Sequence, residues 1–334
     1  MLIWIKFIIC SVAIIWCGYK ASYLGDVLCE KTRVTRTIMG FAVLAGATSA
    51  PEFVTSVASI VVVKLPDFAA GDLFGSLIFN LGIIALLDLI EGEGPLMLKV
   101  HTKQILYAGW TVIFLSVIVF FMLLRIFTDF SFHLLGLGWE SFLLPFLLIV
   151  ALFSIFKMEK TEQKDATTSF VEKIYKHLSF RTTLFKFIFY LLAIVGLGIW
   201  LSQIGKEIVF VMRWSEVMVG TFFLGIVTSF PELIVSISAL KFDVDMAVGN
   251  ILGSNFFDTM IVPLCDALLR EGVFLSSIRM ENLLTVILAI VLSNILIIGL
   301  ISRSKRCFLK LGWDAISMVL VLIGGSSILF FLTK

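Results

Sequence analysis

Residues 46–56 read GATSAPEFVTS and lie inside an apolar run, residues 40–63, that is long enough to cross a bilayer as a helix. The stretch places Pro51 and Glu52 at membrane depth. Both residues are costly there, because proline removes a backbone hydrogen-bond donor and a carboxylate loses its hydration. A membrane helix keeps such residues only where they serve a site or a close packing contact.

The composition of the whole chain indicates a membrane protein with several spans. Hydrophobic residues make up 60% of the 334 residues and charged residues only 15%, and a soluble domain of this size cannot bury so much apolar surface. The five cysteines show no C-x-x-C spacing, so we expect free thiols rather than a disulfide framework or a metal site. We expect the lipid bilayer as a partner, no nucleic acid, and a monomeric chain.

Ten segments contain the roughly 20 apolar residues that a helix needs to cross the hydrocarbon core. Unpaired backbone groups are excluded from lipid and the segments are too long for barrel strands. The predicted fold class is therefore an all-α polytopic membrane protein with ten transmembrane helices, the first of them a retained span rather than a cleaved signal peptide. The predicted spans are 2–19, 37–63, 68–90, 104–124, 132–156, 184–204, 215–240, 245–269, 280–302 and 311–332.

The positively charged residues predict the orientation of these spans. Eighteen Lys and Arg residues lie on one side of the spans and seven on the other, and an excess of positive charge marks the cytosolic side. Both termini then face outward, and the longest loop, a charged linker at 157–183, is cytosolic. This linker separates two five-helix halves, 1–156 and 184–334, and the cell membrane is the expected location.

A second copy of the opening stretch occurs in the second half of the chain. GFAVLAGATSAPEFVTS (40–56) aligns with GTFFLGIVTSFPELIVS (220–236) at a shift of 180, and GDLFGSLIFN (71–80) aligns with GNILGSNFFD (249–258) at a shift of 178. Both copies, at about 37–90 and 215–269, contain T-S-x-P-E followed by G-x-x-x-G-S. In the turn between the motifs Asp67 aligns with Asp245, and each is suited to cap the next helix.

The two copies are predicted to cross the membrane in opposite directions, because an odd number of spans, five, separates their starts. Inverted repeats with interrupted helices near the midplane are typical of secondary transporters. A single G-x-x-x-G-S motif would more simply indicate close helix packing. Packing does not solvate the duplicated acids, so the duplicated pair of motifs favours a site.

The polar residues of the two copies can form one oxygen-rich site. Helical spacing places Thr48, Glu52 and Ser56 on one face, and the second copy repeats this arrangement. Proline at 51 and 231 is expected to free backbone carbonyls near residues 47–48 and 227–228. The side chains on these faces all offer oxygen; they are Thr48, Glu52, Ser56, Ser76 and Asn80 in the first copy and Thr228, Glu232, Ser236, Ser254 and Asp258 in the second.

The charge of this site indicates what it binds. Glu52, Glu232 and Asp258 would bring up to three negative charges to mid-membrane, and their helices carry no Lys or Arg at that depth. Bound cations or protons must compensate these charges. Hard oxygen ligands suit Ca²⁺, which takes about 6–8 of them. Imidazole ligation is excluded, since the three histidines lie at or outside the ends of the spans, and no nucleotide-binding or catalytic motif occurs.

The two copies resemble the α-repeats of the calcium:cation antiporter superfamily, which comprises the sodium/calcium exchangers and their prokaryotic relatives. The resemblance covers the whole ten-span plan and is sharpest at residues 40–90 and 220–268. It implies two inverted five-helix halves and four cation sites enclosed by helices 2, 3, 7 and 8. It also implies exchange of Ca²⁺ for Na⁺ without a cofactor, and helices 1 and 6 that slide against this core.

The resemblance assigns roles to individual residues. Glu52 and Glu232 would be the carboxylates shared by Ca²⁺ and Na⁺, beside the backbone carbonyls of Thr48 and Thr228. The motifs supply the remaining roles: Ser49, Ser76, Ser229 and Ser254 would serve the flanking Na⁺ sites, and Asn80 and Asp258 would complete the central ring.

The first copy departs from the family pattern G-N-x-x-G-S-N. It has Asp72 in place of the first Asn and Leu77 in place of the second, whereas the second copy keeps Asn250 and Asn255. The four central positions remain, so we expect ion binding to be retained. Asp72 adds a carboxylate and Leu77 removes an amide, and both changes bear on ion selectivity and on the coupling ion.

Three alternatives to Na⁺/Ca²⁺ exchange are compatible with these residues. The first is H⁺/Ca²⁺ exchange, with the same glutamates taking protons, and the sequence alone does not separate it from Na⁺ coupling. The second is an intramembrane enzyme that uses Glu52 and Glu232 as an acid/base pair, although it leaves the duplicated Ser and Thr residues without a role. The third is a membrane scaffold without transport, if Asp72 and Leu77 mark a decayed site.

Overall fold

The computed structural model describes residues 1–32, 46–92, 94–127, 133–134, 136–165, 178–269, 272–305, 307–308 and 311–333. Nearly all of these residues are helical. The α-helices are α1 (Leu2–Thr32), α2 (Gly46–Thr48), α3 (Ala50–Ala58), α4 (Pro66–Glu91), α5 (Gln104–Phe127), α6 (Glu140–Asp165), α7 (Phe180–Met212), α8 (Glu216–Val219), α9 (Gly225–Leu240), α10 (Val244–Thr259), α11 (Ile261–Leu268), α12 (Phe274–Ser277), α13 (Glu281–Ser302) and α14 (Trp313–Thr333). The π-helical segments Ser59–Val63 and Gly220–Leu224 follow α3 and precede α9, and a 3₁₀ turn spans Leu96–Leu98.

The described chain contains nine helices, or runs of continuous helix, that are long and apolar enough to cross a membrane. The second predicted span is described only from Gly46, where the apolar helix Ala50–Val63 is shorter than a full span. The all-α polytopic fold is therefore confirmed, and the count of ten helices stays a prediction. Residues 37–45 of the second predicted span and 166–177 of the predicted linker lie outside the described residues.

Two short hairpins shift the boundaries of the predicted spans. β1 (His133–Leu134) pairs with β2 (Leu137–Gly138) before α6, and β3 (Cys307–Phe308) pairs with β4 (Leu311–Gly312) before α14. The predicted spans at 132–156 and 311–332 thus begin as helix only at Glu140 and Trp313. At its other end α6 continues to Asp165 and makes the first part of the predicted linker helical.

Two aspartates show that the repeats are inverted. Asp67, at the start of α4, accepts hydrogen bonds from the backbone of Arg279 (2.6 Å) and from Asn282 Nδ2 (2.8 Å), at the start of α13. Asp245, at the start of α10, accepts them from the backbone of His101 (2.9 Å) and from Gln104 Nε2 (3.1 Å), at the start of α5. The second helix of each copy thus begins beside the segment that follows the other copy, so α4 and α10 run in opposite directions.

The same contacts correct the role expected for these two aspartates. The N-cap of α4 is Leu65, without a side-chain cap, and the N-cap of α10 is Asp243, which accepts from the backbone of Asp245. Asp67 instead bonds α4 to the start of α13, and Asp245 bonds α10 to the start of α5. A second duplicated pair holds the hairpins: Asp88 accepts from the backbone of Gly312 (2.8 Å) and Asp266 from that of Gly138 (2.8 Å).

The repeat extends to α1 and α7, which pack against each other. GYKASYLGDVL (18–28) and GIWLSQIGKEI (198–208) align at the same shift of 180. Their serines make the same bond, since Ser22 donates to the carbonyl of Gly18 (2.9 Å) and Ser202 to that of Gly198 (3.0 Å). Lys6 and Glu207 form an ion pair across this pair of helices (3.0 Å).

The α1–α7 pair meets the rest of the molecule in an asymmetric way. A Cβ built on Gly18 would lie 2.6 Å from Pro231 Cγ, so this glycine lets α1 approach α9 closely. The atoms nearest to the corresponding Gly198 belong not to Pro51 but to the next turn of α3; its Cβ would lie 2.7 Å from Val54 Cγ1 and 3.3 Å from Thr55 Oγ1. The residues that Gly198 contacts lie three to four positions after Pro51, whereas Gly18 contacts Pro231 itself. The two contacts are therefore offset by one helical turn, or about 5 Å of rise.

Candidate ion-binding site

The structure brings the ten predicted site residues into the interior of the molecule. They lie on α2, α3, α4, α9 and α10, or between α2 and α3, and we call these five helices the core helices. Every one of the ten is buried, none of them more than 2% exposed: Thr48, Ser49, Glu52, Ser76, Asn80, Thr228, Ser229, Glu232, Ser254 and Asp258. The five core helices thus carry polar side chains on their inner faces.

Two equivalent hydrogen bonds join the repeats at this site. Thr48 Oγ1 lies 3.0 Å from Ser254 Oγ, and Ser76 Oγ lies 3.2 Å from Thr228 Oγ1. The first bond links α2 to α10 and the second links α4 to α9. Each motif of one copy therefore contacts the other motif of the opposite copy, and the prediction that the copies meet at one place is supported by geometry.

Eight oxygen atoms at this place have no hydrogen-bond partner among the described residues. Ser254 donates to Glu232 Oε1 at 3.3 Å, while the other oxygen of Glu232 and both oxygens of Glu52 and of Asp258 are unpartnered. The remaining three are Ser49 Oγ, Ser229 Oγ and Asn80 Oδ1. Each buried oxygen without a partner destabilises the folded protein by about 1–3 kcal/mol, and by more if it is charged. We therefore expect a bound species that interacts with the lone pairs of these eight atoms.

The charge at the site has no counterion among the residues that the structure describes. Glu232, Asp258 and Asp72 lie near enough to Glu52 for their negative charges to repel a charge on it. The ion pairs found among the described residues join other acids, namely Glu207, Glu91, Asp245, Glu140 and Asp67. Within that part of the chain, no three His, Cys, Asp or Glu side chains group closely enough to hold a metal ion by themselves. The oxygens that face one another here come from hydroxyls and an amide as well as from acids.

The two prolines act differently in the two copies. Helix α2 ends at Thr48, Ser49 leaves the helical conformation with φ −79° and ψ 8°, and Pro51 stands in the first turn of α3. The second copy is continuous, because Pro231 lies inside α9. The helix thus breaks just before Pro51, whereas it continues through Pro231. That the two prolines free backbone carbonyls near 47–48 and 227–228 stays a prediction.

Asp72 occupies the position of Asn250 but reverses a hydrogen bond. Asp72 accepts from Ser56 Oγ (2.9 Å) and from Thr228 Oγ1 (3.0 Å). In the second copy the amide of Asn250 donates to Ser236 Oγ at 3.0 Å. Asp72 is therefore a buried acid in addition to Glu52, Glu232 and Asp258, and it is bonded to hydroxyls of both copies.

Sequence reasoning missed the role of Asn255. This residue is buried and its Oδ1 accepts from Asn80 Nδ2 at 2.9 Å. The only sequence signal was that the second copy keeps this asparagine while the first copy has Leu77.

Substitution of Asp72 tests its place in this network. Asp72→Asn is expected to change the free energy of unfolding by no more than about 1 kcal/mol, because Asn250 shows that an amide fits this position. Asp72→Leu removes the acceptor of two buried hydroxyls and is expected to be destabilising by about 1–3 kcal/mol. Thermal unfolding of the purified protein in detergent measures both. Equal destabilisation by the two substitutions would contradict the assignment.

Comparison with known proteins assigns the family. The model of the family described as sodium/calcium exchanger protein matches residues 2–157 and 182–333. The inner membrane protein YrbG of Escherichia coli (strain K12) is 26% identical over 277 residues, which are 78% of this chain and 77% of that protein. 

Solved structures show the same fold at low sequence identity. The chain is similar to the H⁺/Ca²⁺ exchanger CAX, with a TM-score of 0.71, 15% identity, and 99% of this chain and 86% of that chain covered. It is similar to native YfkE with a TM-score of 0.66, 16% identity and coverage of 97% and 91%. It is similar to the sodium-calcium exchanger NCX_Mj, soaked with Na⁺ and Sr²⁺, with a TM-score of 0.60, 20% identity and coverage of 98% of each chain. Because the family model matches both halves of the chain, this protein belongs to the sodium/calcium exchanger family of integral membrane transporters.

Proposed function

We propose that this protein is a secondary active antiporter that exchanges Ca²⁺ for Na⁺ across the cell membrane by alternating access. The observation that carries the proposal is the set of eight unpartnered, buried oxygens supplied by both copies of the repeat. Ca²⁺ takes about 6–8 oxygen ligands, from carboxylates, amides and hydroxyls alike, so the ligand number and chemistry suit it. Family membership makes the protein a transporter rather than an enzyme, which removes the acid/base alternative for Glu52 and Glu232.

The charge of the site favours exchange over one-way transport. Glu52, Glu232 and Asp258 are buried without a counterion among the described residues. Moving the site from one side of the membrane to the other without a bound cation leaves these charges uncompensated in a medium of low polarity. The return step is therefore favourable only when other cations, such as Na⁺, replace the Ca²⁺ that has left. In this proposal both termini face outward, the linker at 157–183 is cytosolic, and the protein functions as a monomer.

The asymmetric contact of the α1–α7 pair suggests how access alternates. Gly18 lies against Pro231, whereas Gly198 lies against Val54, one turn beyond Pro51. If Gly198 came to lie against Pro51 and Gly18 moved one turn past Pro231, the asymmetry would be reversed. This exchange requires α1 and α7 to slide by about 5 Å, the rise of one helical turn. Helices α1 and α7 pack against each other, so in this proposal the two helices move as one unit. In the register shown, Ser202 Oγ donates to the carbonyl of Thr55 at 3.0 Å.

A second candidate is H⁺/Ca²⁺ exchange through the same carboxylates. The observation that favours it is Asp72, a buried acid in addition to Glu52, Glu232 and Asp258, where the second copy has Asn250. A proton on a carboxylate compensates its charge as a sodium ion does. The two candidates share the site and the motion, and they differ only in the coupling ion.

The coupling ion and the site residues are testable in one transport assay. In proteoliposomes loaded with Na⁺, an outward Na⁺ gradient is expected to drive ⁴⁵Ca²⁺ uptake. Glu52→Gln or Glu232→Gln is expected to reduce this uptake to background, because each removes a charge that only the bound cation compensates. Glu207→Gln is the matched control, since Glu207 is an exposed acid that pairs with Lys6.

The outcomes of this assay separate the candidates. Uptake that ignores Na⁺ but follows an imposed pH gradient supports proton coupling and contradicts Na⁺ coupling. Full activity in both glutamate variants contradicts the site assignment, whichever ion is coupled.

The proposed sliding motion is tested by two glycines on α7. Gly198→Leu places a side chain where the Cβ alone would lie 2.7 Å from Val54, so the slide past α3 is obstructed. We expect the exchange rate to fall about tenfold or more, since overpacking of this kind costs about 1–3 kcal/mol. Gly196→Leu is the control, because nothing lies within 4 Å of its Cβ position. Equal exchange rates in the two variants, with equal amounts of folded protein, would contradict the motion.

A further inference from the structure

Two buried asparagines form a hydrogen-bond chain beside the proposed site. Asn255 Nδ2 donates to the backbone carbonyl of Leu77 at 3.5 Å, and Asn80 Nδ2 donates to Asn255 Oδ1 at 2.9 Å. Asn80 and Asn255 are fully buried, and the chain joins α4 to α10. Asn80 Oδ1 stands at the end of the chain without a partner among the described residues.

The direction of this chain is determined by its first member. A backbone carbonyl only accepts hydrogen bonds, so the side of the Asn255 amide that faces Leu77 must be its NH₂ group. The oxygen of Asn255 then faces Asn80, and an oxygen only accepts, so Asn80 must present its own NH₂ group in return. The remaining side of the Asn80 amide is its oxygen.

This orientation matters for a cation. The two ends of an amide have nearly the same shape, but the oxygen attracts a cation and the NH₂ group repels it. We infer that Asn255 is a positioning residue for ion binding: it holds the Asn80 amide so that Asn80 Oδ1, and not Nδ2, faces the cation. The inference rests on the proposed function only in taking the bound species to be a cation.

The same reasoning explains why the first copy has Leu77 where the second has Asn255. The residue that corresponds to Asn80 in the second copy is Asp258. The two oxygens of a carboxylate are equivalent, so Asp258 presents oxygen in either orientation and needs no neighbour to orient it. The amide of Asn80 requires an orienting group, and Asn255 provides it. The carboxylate of Asp258 requires none, and the position that would orient it is occupied by Leu77.

A purely structural role for Asn255 makes a different prediction. If its bonds only hold α4 against α10, then replacing Asn255 has the same effect whichever residue stands at position 80. If Asn255 orients the amide, the effect disappears once position 80 is a carboxylate. A double-mutant cycle between positions 255 and 80 distinguishes the two roles.

The experiment compares Asn255→Leu in the wild-type protein with Asn255→Leu in the Asn80→Asp variant. In the wild-type protein we expect the KM for Ca²⁺ in the proteoliposome assay to rise about tenfold, with the maximal rate changed by less than about twofold, because one oriented ligand is lost. In the Asn80→Asp variant we expect Asn255→Leu to change KM by less than about twofold. Asn294→Leu is the matched control, since Asn294 is exposed on α13 and, among the described residues, bonds to the carbonyl of Ile290 of its own helix.

A second measurement needs no transport. The rise in melting temperature on addition of CaCl₂, SrCl₂ or NaCl is measured for the same variants in detergent. Asn255→Leu is expected to shift the cation concentration needed for half of this rise about tenfold upward, and Asn80→Asp is expected to remove that dependence on Asn255. 

Each outcome decides the inference. Cancellation of the effect in the Asn80→Asp background supports the positioning role. An equal effect in both backgrounds, or no effect in either, overturns it while leaving the proposed antiport intact. If the wild-type protein moves no Ca²⁺, the proposed function fails, and the melting measurement still tests the inference with the cation that stabilises the protein. If no cation stabilises the wild-type protein, the inference fails as well.

Discussion

The structure depends on one constraint: acids buried in a membrane protein need a positive partner, and no described residue provides one at the proposed site. Glu52, Glu232 and Asp258 lie in the interior, and five of their six carboxylate oxygens lack a hydrogen-bond partner in the described part of the chain. Water is absent from the hydrocarbon region and no described Lys or Arg pairs with these acids, so transported cations or protons must balance the charge. The requirement accounts for the oxygen-lined core helices and for the coupling of one ion's movement to another's.

The duplicated contacts divide the molecule into a fastened part and a sliding part. Asp67 and Asp245 bind the core helices α4 and α10 to α13 and α5 through buried hydrogen bonds, at symmetric positions. The α1–α7 pair instead meets the core helices through the glycines Gly18 and Gly198, at registers that differ by one turn. Glycines at the contact permit more than one register, and the bond from Ser202 to the carbonyl of Thr55 belongs to the register shown. The proposed motion therefore has a structural basis in the chemistry of the two interfaces.

The places where the repeats differ are the informative ones. Asp72 reverses a hydrogen bond that Asn250 makes in the second copy, and adds an acid. Leu77 seemed from the sequence to be a loss, yet its backbone carbonyl anchors the chain that orients Asn80. Asp72 accepts from two buried hydroxyls, and the backbone carbonyl of Leu77 accepts from Asn255, so both positions take part in the hydrogen bonds of the core helices. They are consistent with a working site rather than with a decayed one.

Much of this architecture was determined by the sequence alone, because membrane insertion and internal duplication both leave long-range patterns in it. Apolar length predicts the spans, the repeated T-S-x-P-E and G-x-x-x-G-S motifs predict the residues that meet, and all ten of these residues are indeed buried together. Only the tertiary structure decided that α9 continues through Pro231, that the α1–α7 pair is offset, and that Asn255 faces Asn80. These features depend on which atoms of distant segments come into contact, and the order of residues along one helix does not specify that.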